Sequence, residues 1–225
     1  MYKTGVLLIH GFGGSRDEVR TMYDELAERN IYAQMVAVAG HEGTPRDLAR
    51  TTYKDWILSA HTEYSDMIRM CEKVVLAGFS AGGLIAVNLY REHKCDRLVT
   101  VNTPVYYWNI GQVMKNIRTD SGYIPRYFRA CTDKRPTSLV NFLRLLYTTK
   151  RYFKEIECDT LIVQAVDDDT SHYRSGKYIY DSVNGKKRLI TPPRGGHDIL
   201  TGEYKDEVIS EIVNFISADN QPRNE

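Results

Sequence analysis

The stretch from Lys73 to Tyr90 constrains this chain more than any other: an apolar run, "KVVLA", passes through "GFSAGG" directly into "LIAVNLY". A serine with glycines two residues to either side, placed where a strand gives way to a helix, fits the Gly-x-Ser-x-Gly nucleophile elbow. There the sharp turn strains the serine backbone and lifts its hydroxyl above a sheet. Gly78 and Gly82 are needed sterically, because a Cβ at either place obstructs closure of the turn against its neighbours. A serine that merely caps a helix leaves both glycines unexplained.

The elbow implies a sheet, and the rest of the chain supplies one. "GVLLIH" (5–10), "IYAQMVAVA" (31–39), "KVVLA" (73–77), "RLVTVN" (97–102), "TLIVQAV" (160–166) and "KRLIT" (187–191) read as six short strands, most buried on both faces. Between them, Trp56, Ile57, Ala60, Tyr64, Met67 and Ile68 recur at helical spacing, as do Val208, Ile209, Ile212, Val213 and Ile216. "SRDE" (15–18) is a capping box, with Ser15 and Glu18 bonding reciprocally, and predicts a helix from Arg16. Strands alternating with helices give right-handed crossovers and a mostly parallel sheet of about six or seven strands. Ligand chemistry then gathers at the carboxyl ends of the strands.

About fifty residues, 103–154, separate the fourth strand from the fifth. A bare loop of that length is uncommon, so the segment is expected to carry its own helices as a cap over the strand ends. It holds ten aromatic residues: Tyr106, Tyr107, Trp108, Tyr123, Tyr127, Phe128, Phe142, Tyr147, Tyr152 and Phe153. Its ten basic residues, among them Arg126, Arg129 and Lys134, face only Asp120 and Asp133. The segment therefore carries +8 in a chain whose net charge is +1. Residues 1–225 are otherwise expected to form one domain, ending in a frayed polar tail, "SADNQPRNE".

Several function classes recede on composition. Near-neutral charge and the lack of a base-reading motif argue against nucleic acid. The first apolar run stops after four residues at His10, short of the ~7 to 15 of a secretory signal. No stretch approaches the ~18 apolar residues of a membrane span, so a cytoplasmic location without membrane insertion is expected. Cys71, Cys95, Cys131 and Cys158 form no CxxC pair and read as reduced thiols. "HGFGG" (10–14) follows the first strand, but a dinucleotide fingerprint wants glycine where Arg16 stands. Asp167, Asp168 and Asp169 make a poor metal loop without further spaced oxygen donors, and neither metal nor cofactor is expected.

A serine hydroxyl becomes a nucleophile only when a base takes its proton and an acid orients that base. Of six histidines, His197 in "TPPRGGHDIL" is the one that follows the last strand, on a loop that Gly195 and Gly196 leave free to reach the serine. The three aspartates after the fifth strand are the candidate acids, and only one can point inward. The backbone N–H groups of Phe12 and of Ala81, just after the serine, are placed to receive a developing oxyanion.

"LLIHGFGGS", "GFSAGGLIA", "LIVQAVDDD" and "GGHDI", in that order and spacing, resemble the α/β-hydrolase superfamily. The resemblance is narrower to the small bacterial carboxylesterases and monoacylglycerol-lipase-like serine esterases. It implies Ser80 as nucleophile, His197 as base and Asp168 as acid, with oxyanion donors at Phe12 and Ala81 and no cofactor. The expected substrate is a small ester, with an apolar acyl chain suggested by the cap aromatics and a lipid-like or anionic character by the cationic cap. The same triad serves thioesterases and acyltransferases. "AGHEG" (39–43) departs from the GHG common in such relatives, which puts a pocket role for His41 in doubt.

Overall fold

The computed structural model describes residues 1–120, 122–124 and 135–218. Tyr127, Phe128, Cys131, the charged residues Arg126, Arg129, Asp133 and Lys134, and the tail from position 219 lie outside the described residues. Six strands form one sheet: β1 (Tyr2–Ile9), β2 (Tyr32–Met35), β3 (Cys71–Phe79), β4 (Arg97–Val101), β5 (Asp159–Val163) and β6 (Lys187–Ile190). Their order is β2-β1-β3-β4-β5-β6 and every pairing is parallel. All six expected strands are present. β2 stops at Met35, short of the apolar run that follows it.

The pleat sorts side chains by a period of two. Leu7, Ile9, Leu76 and Leu98 face one buried cluster, shared with α3 (Tyr53–Met70) and α4 (Ala81–His93). Val6, Leu8, Val75 and Val99 face the other, shared with α1 (Arg20–Glu28) and the C-terminal helix, α8 (Lys205–Ser217). Burial on both faces is why these strands read as continuous apolar runs. A short helix, α2 (Pro45–Arg50), precedes α3 and opens with a capping box between Thr44 and Asp47.

Two readings of the helices need correction. A helical segment does begin at Arg16, but residues 16–19 are wound as a 3₁₀ turn that passes into α1 at Arg20. Ser15 accepts from the Asp17 N–H, one residue short of the Glu18 N–H expected, and the Glu18 carboxylate accepts from the Gly11 N–H at 2.8 Å. In α3, Ile68 lies outside the buried stripe and is 50% exposed.

The β4–β5 connection contains α5 (Ile110–Thr119), α6 (Pro136–Thr149) and a 3₁₀ turn at Lys150–Glu155. Phe142, Leu145 and Leu146 of α6 join the same buried cluster as α3 and α4, whereas α5 buries no residue. Helix α7 (Arg174–Ser182) leads into β6. Cys71, Cys95 and Cys158 are free thiols, although Cys95 and Cys158 approach to 4.0 Å between sulfurs. Among the described residues no helix is long and apolar enough to cross a membrane.

Candidate active site

In the order 2-1-3-4-5-6 the chain reverses direction between β1 and β3, and the carboxyl ends of those two strands open the crevice where an open parallel sheet binds ligand. "HGFGG" leaves β1 there and Ser80 leaves β3. Ser80 is the N-cap of α4 with φ 51° and ψ −122°, a region that costs a non-glycine residue on the order of 1–3 kcal/mol. Its N–H donates to the Val101 carbonyl of the neighbouring strand at 2.8 Å. The glycines meet the steric need: a Cβ on Gly78 would strike the backbone of Gly82, and one on Gly82 would strike the Ile9 and His10 carbonyls.

The last loop brings its histidine 117 residues back along the chain. His197 Nε2 lies 3.0 Å from Ser80 Oγ, and its Nδ1 lies 3.0 and 2.9 Å from the two Asp168 carboxylate oxygens. Gly195 and Gly196 take positive φ, 129° and 61°, as a loop bending back over the serine requires. Burial opposes charging of the His197 ring. The Asp168 charge and its hydrogen bond, reinforced by Asp198 and Asp169, outweigh that and raise its pKa to about 8.

The three consecutive aspartates take three different tasks. Asp168 is fully buried, and its Oδ1 accepts from the N–H groups of Thr170 and Ser171, both at 2.8 Å. Asp167 turns the other way and accepts from the Gly196 N–H at 2.8 Å, bracing the histidine loop. Asp169 accepts from Tyr123 Oη at 2.9 Å and Asn116 Nδ2 at 3.2 Å, which tethers α5.

Sequence reasoning missed Asn102. This fully buried residue, at φ 46°, donates from Nδ2 to the carbonyls of Gly196 and His197 at 2.9 and 2.8 Å, while its Oδ1 accepts from the Ala165 N–H at 2.8 Å. It ties the end of β4 to both the acid loop and the histidine loop. The only sequence signal was a polar residue closing an apolar strand. Glu18 was missed in this sense too: its bond to the Gly11 N–H fixes the loop that carries Phe12. Arg16, where a dinucleotide site wants glycine, forks onto both Glu42 oxygens at 2.6 and 2.7 Å.

Phe12 and Ala81 both border the serine: Phe12 lines the cavity above it, and Ala81 is the first residue of α4. The Phe12 ring stacks on Phe142 at 5.0 Å between centroids and also meets Trp56 and His41. His41 is a buried packing partner that does not line the cavity among its described residues. His10 is sealed inside, with Nδ1 bonded to the Gly11 carbonyl, and burial lowers its pKa. His172 lies away from the serine, accepting from the Arg174 N–H. The cavity measures about 740 Å³ and runs from Ser80 and His197 to Tyr107, Trp108, Tyr123, Leu139 and Phe142. Such a volume suits a small-molecule ligand.

The chain as a whole has relatives among known proteins. The chain is 26% identical over 223 residues to a thermostable monoacylglycerol lipase of Bacillus sp. (strain H-257), covering 92% of this chain and 87% of that protein. It is 24% identical over 224 residues to a carboxylesterase of Bacillus subtilis (strain 168), covering 94% and 91%. A solved structure described with LipS and LipT, two metagenome-derived lipolytic enzymes, superposes with a TM-score of 0.81 at 17% identity, covering 96% of this chain and 94% of that one. The model of the alpha/beta hydrolase family matches residues 6–211, and the chain belongs to that family.

Proposed function

We propose that this protein is a serine hydrolase of carboxylic esters with an apolar acyl chain, working through an acyl-enzyme. The observation that carries the reading is the continuous chain of contacts from Ser80 Oγ through His197 to a buried Asp168. The lipase and carboxylesterase activities named for its relatives point the same way.

In this mechanism His197 Nε2 removes the Ser80 proton as Oγ attacks the ester carbonyl. Asp168 holds the ring in the tautomer with hydrogen on Nδ1 and stabilises the imidazolium that forms. Negative charge on the former carbonyl oxygen is met by the N–H groups of Phe12 and Ala81, which need not reorganise as it develops. The imidazolium then protonates the departing alcohol. Water activated by the same ring releases the acid and restores the serine. No step calls for a metal or an organic cofactor.

The apolar wall of Phe12, Tyr107, Leu139 and Phe142 suits an acyl chain, and Asn116 of α5 also borders the cavity. The described lining includes the carboxylates of Glu18, Asp120, Asp169 and Asp198, with His197 as its basic side chain and no lysine or arginine, which favours a neutral ester over an anionic one. The test is a panel of neutral esters of graded acyl length, with thioesters and alcohol acceptors alongside, assayed on wild type and Ser80→Ala. The reading expects ester hydrolysis that improves with chain length and vanishes in the variant. Hydrolysis that survives Ser80→Ala would overturn it, and a preference for thioesters or for acyl transfer would reassign the leaving group or acceptor.

A further inference from the structure

Away from Ser80, a second cluster of reactive side chains sits where α3 and α4 pack together. His61 in the middle of α3 and His93 at the last residue of α4 bring their rings to 4.4 Å between centroids, and Glu92 adjoins them. Donor atoms from these three side chains all lie within 4.8 Å of one another. In sequence the two histidines are 32 residues apart, inside separate helical patterns, so no spacing motif announces them.

Packing alone does not account for this arrangement. His93 Nε2 is sealed from solvent and has no hydrogen-bond partner among the described residues, a cost that an apolar residue at the same place would avoid. The nearest carboxylate oxygen, from Glu92, stands 3.9 Å away, too far for a hydrogen bond. Neighbouring cations are engaged elsewhere: Arg91 pairs with Glu155 at 3.2 Å, and Lys94 Nζ lies over the Tyr90 ring at 4.7 Å. The His93 ring is held by stacking on Tyr64 at 5.1 Å, and Ser65 Oγ stands 3.5 Å from His61 Nδ1. The C-terminus of α4, with its partial negative charge, favours a cation at this end.

We propose that His61, Glu92 and His93 form a binding site for a divalent transition-metal ion of borderline softness, such as zinc or nickel, that clamps α3 to α4. Two imidazoles and a carboxylate are a donor set suited to such ions, with water completing the coordination. Bonds of ~2.0–2.2 Å ask the donors to close in by ~1 Å, which rotation of the exposed Glu92 side chain and the two rings supplies. Helix α4 has 13 residues, so the cluster lies roughly 20 Å from the serine at its other end. The ion therefore stabilises and takes no part in the ester chemistry. The proposal does not rest on the serine-hydrolase reading.

The test uses the full chain, stripped with EDTA and desalted, titrated with zinc chloride and separately with nickel chloride by calorimetry, with thermal unfolding in parallel. The expected result is one ion per chain and a Tm raised by about 5 °C at saturating metal. Affinity should fall at least tenfold in His61→Gln and His93→Gln, and severalfold in Glu92→Gln, whose exposed side chain leaves folding intact. His172→Gln, outside the cluster, should bind as wild type does. Failure of wild type to bind either ion overturns the site, as does binding in Glu92→Gln or His61→Gln with wild-type affinity. Ser80→Ala should keep wild-type affinity, which separates this outcome from the fate of the hydrolase reading.

Discussion

Helices α5 and α6 come from the same connection between β4 and β5 yet are held by different forces. α6 is anchored by burial: Phe142, Leu145 and Leu146 sit in the cluster that also holds α3 and α4. α5 buries nothing and leaves Ile110, Met114 and Ile117 in part exposed. It hangs from the acid loop by polar contacts. The Trp108 N–H donates to the Thr170 carbonyl at 2.8 Å, the Asn109 N–H to the Asp169 carbonyl at 3.1 Å, and Asn109 Nδ2 to the Asp168 carbonyl at 3.0 Å. Asn109 also caps α5 itself. The contrast separates two kinds of attachment: α6 belongs to the core, while α5 is held to the loop that carries Asp168.

The largest effect should come from the loop on which α5 hangs. Asp168→Asn is expected to lower kcat by about 10⁴-fold without unfolding the chain, since the histidine loses the partner that orients it. The same change bears on pH. In wild type, kcat/KM should rise with pH through about 8 as His197 loses its proton, and in Asp168→Asn that limb should move to lower pH. Stability runs the opposite way. A histidine whose pKa is raised on folding from 6.5 to about 8 contributes about 2 kcal/mol that is fully present below pH 6.5 and lost as pH rises through 8. An acid limb near 6.5 in wild type would show that Asp168 does not act on the ring as described.

On the α6 side the expected loss is of stability. Leu145→Ala should cost about 2–5 kcal/mol in chemical denaturation, through lost burial and the cavity left behind, with KM little changed in the protein that remains folded. A loss under 1 kcal/mol would mean that α6 is not part of the core. Smaller again is Asp169→Ala, which removes the bonds to Tyr123 and Asn116. KM should rise about fivefold, in line with ~1 kcal/mol for polar contacts of this kind, while Tm moves little. A fall in Tm as large as that of Leu145→Ala would erase the distinction between the two helices. Met114→Ser, on the exposed face of α5, should change stability by no more than about 0.5 kcal/mol in the same denaturation assay.

The central strands β1, β3, β4 and β5 were legible because they are buried on both faces over most of their length and so read as apolar runs, whereas the edge strands β2 and β6 are only half-buried. The elbow was legible because sterics leave glycine little competition at positions 78 and 82. Which of Asp167, Asp168 and Asp169 turns inward was not readable from local sequence, since three identical side chains share one loop and only the fold assigns them. Resemblance pointed to Asp168, the aspartate that lies against His197. Asn102 was invisible because its partners are backbone atoms some 60 and 95 residues downstream. The role of Glu18 was not readable at Ser15, since its carboxylate also serves a tertiary partner, the Gly11 N–H. Ile68 fits the helical period but falls at the edge of the stripe, beyond the reach of the sheet.

Covalent capture offers the most direct test of the serine. Wild type treated with a fluorophosphonate should gain the mass of one adduct, mapped by peptide sequencing to Ser80, with labelling abolished in Ser80→Ala and slowed by orders of magnitude in His197→Ala. An adduct on a different serine, or labelling whose rate is indifferent to His197, would contradict the account.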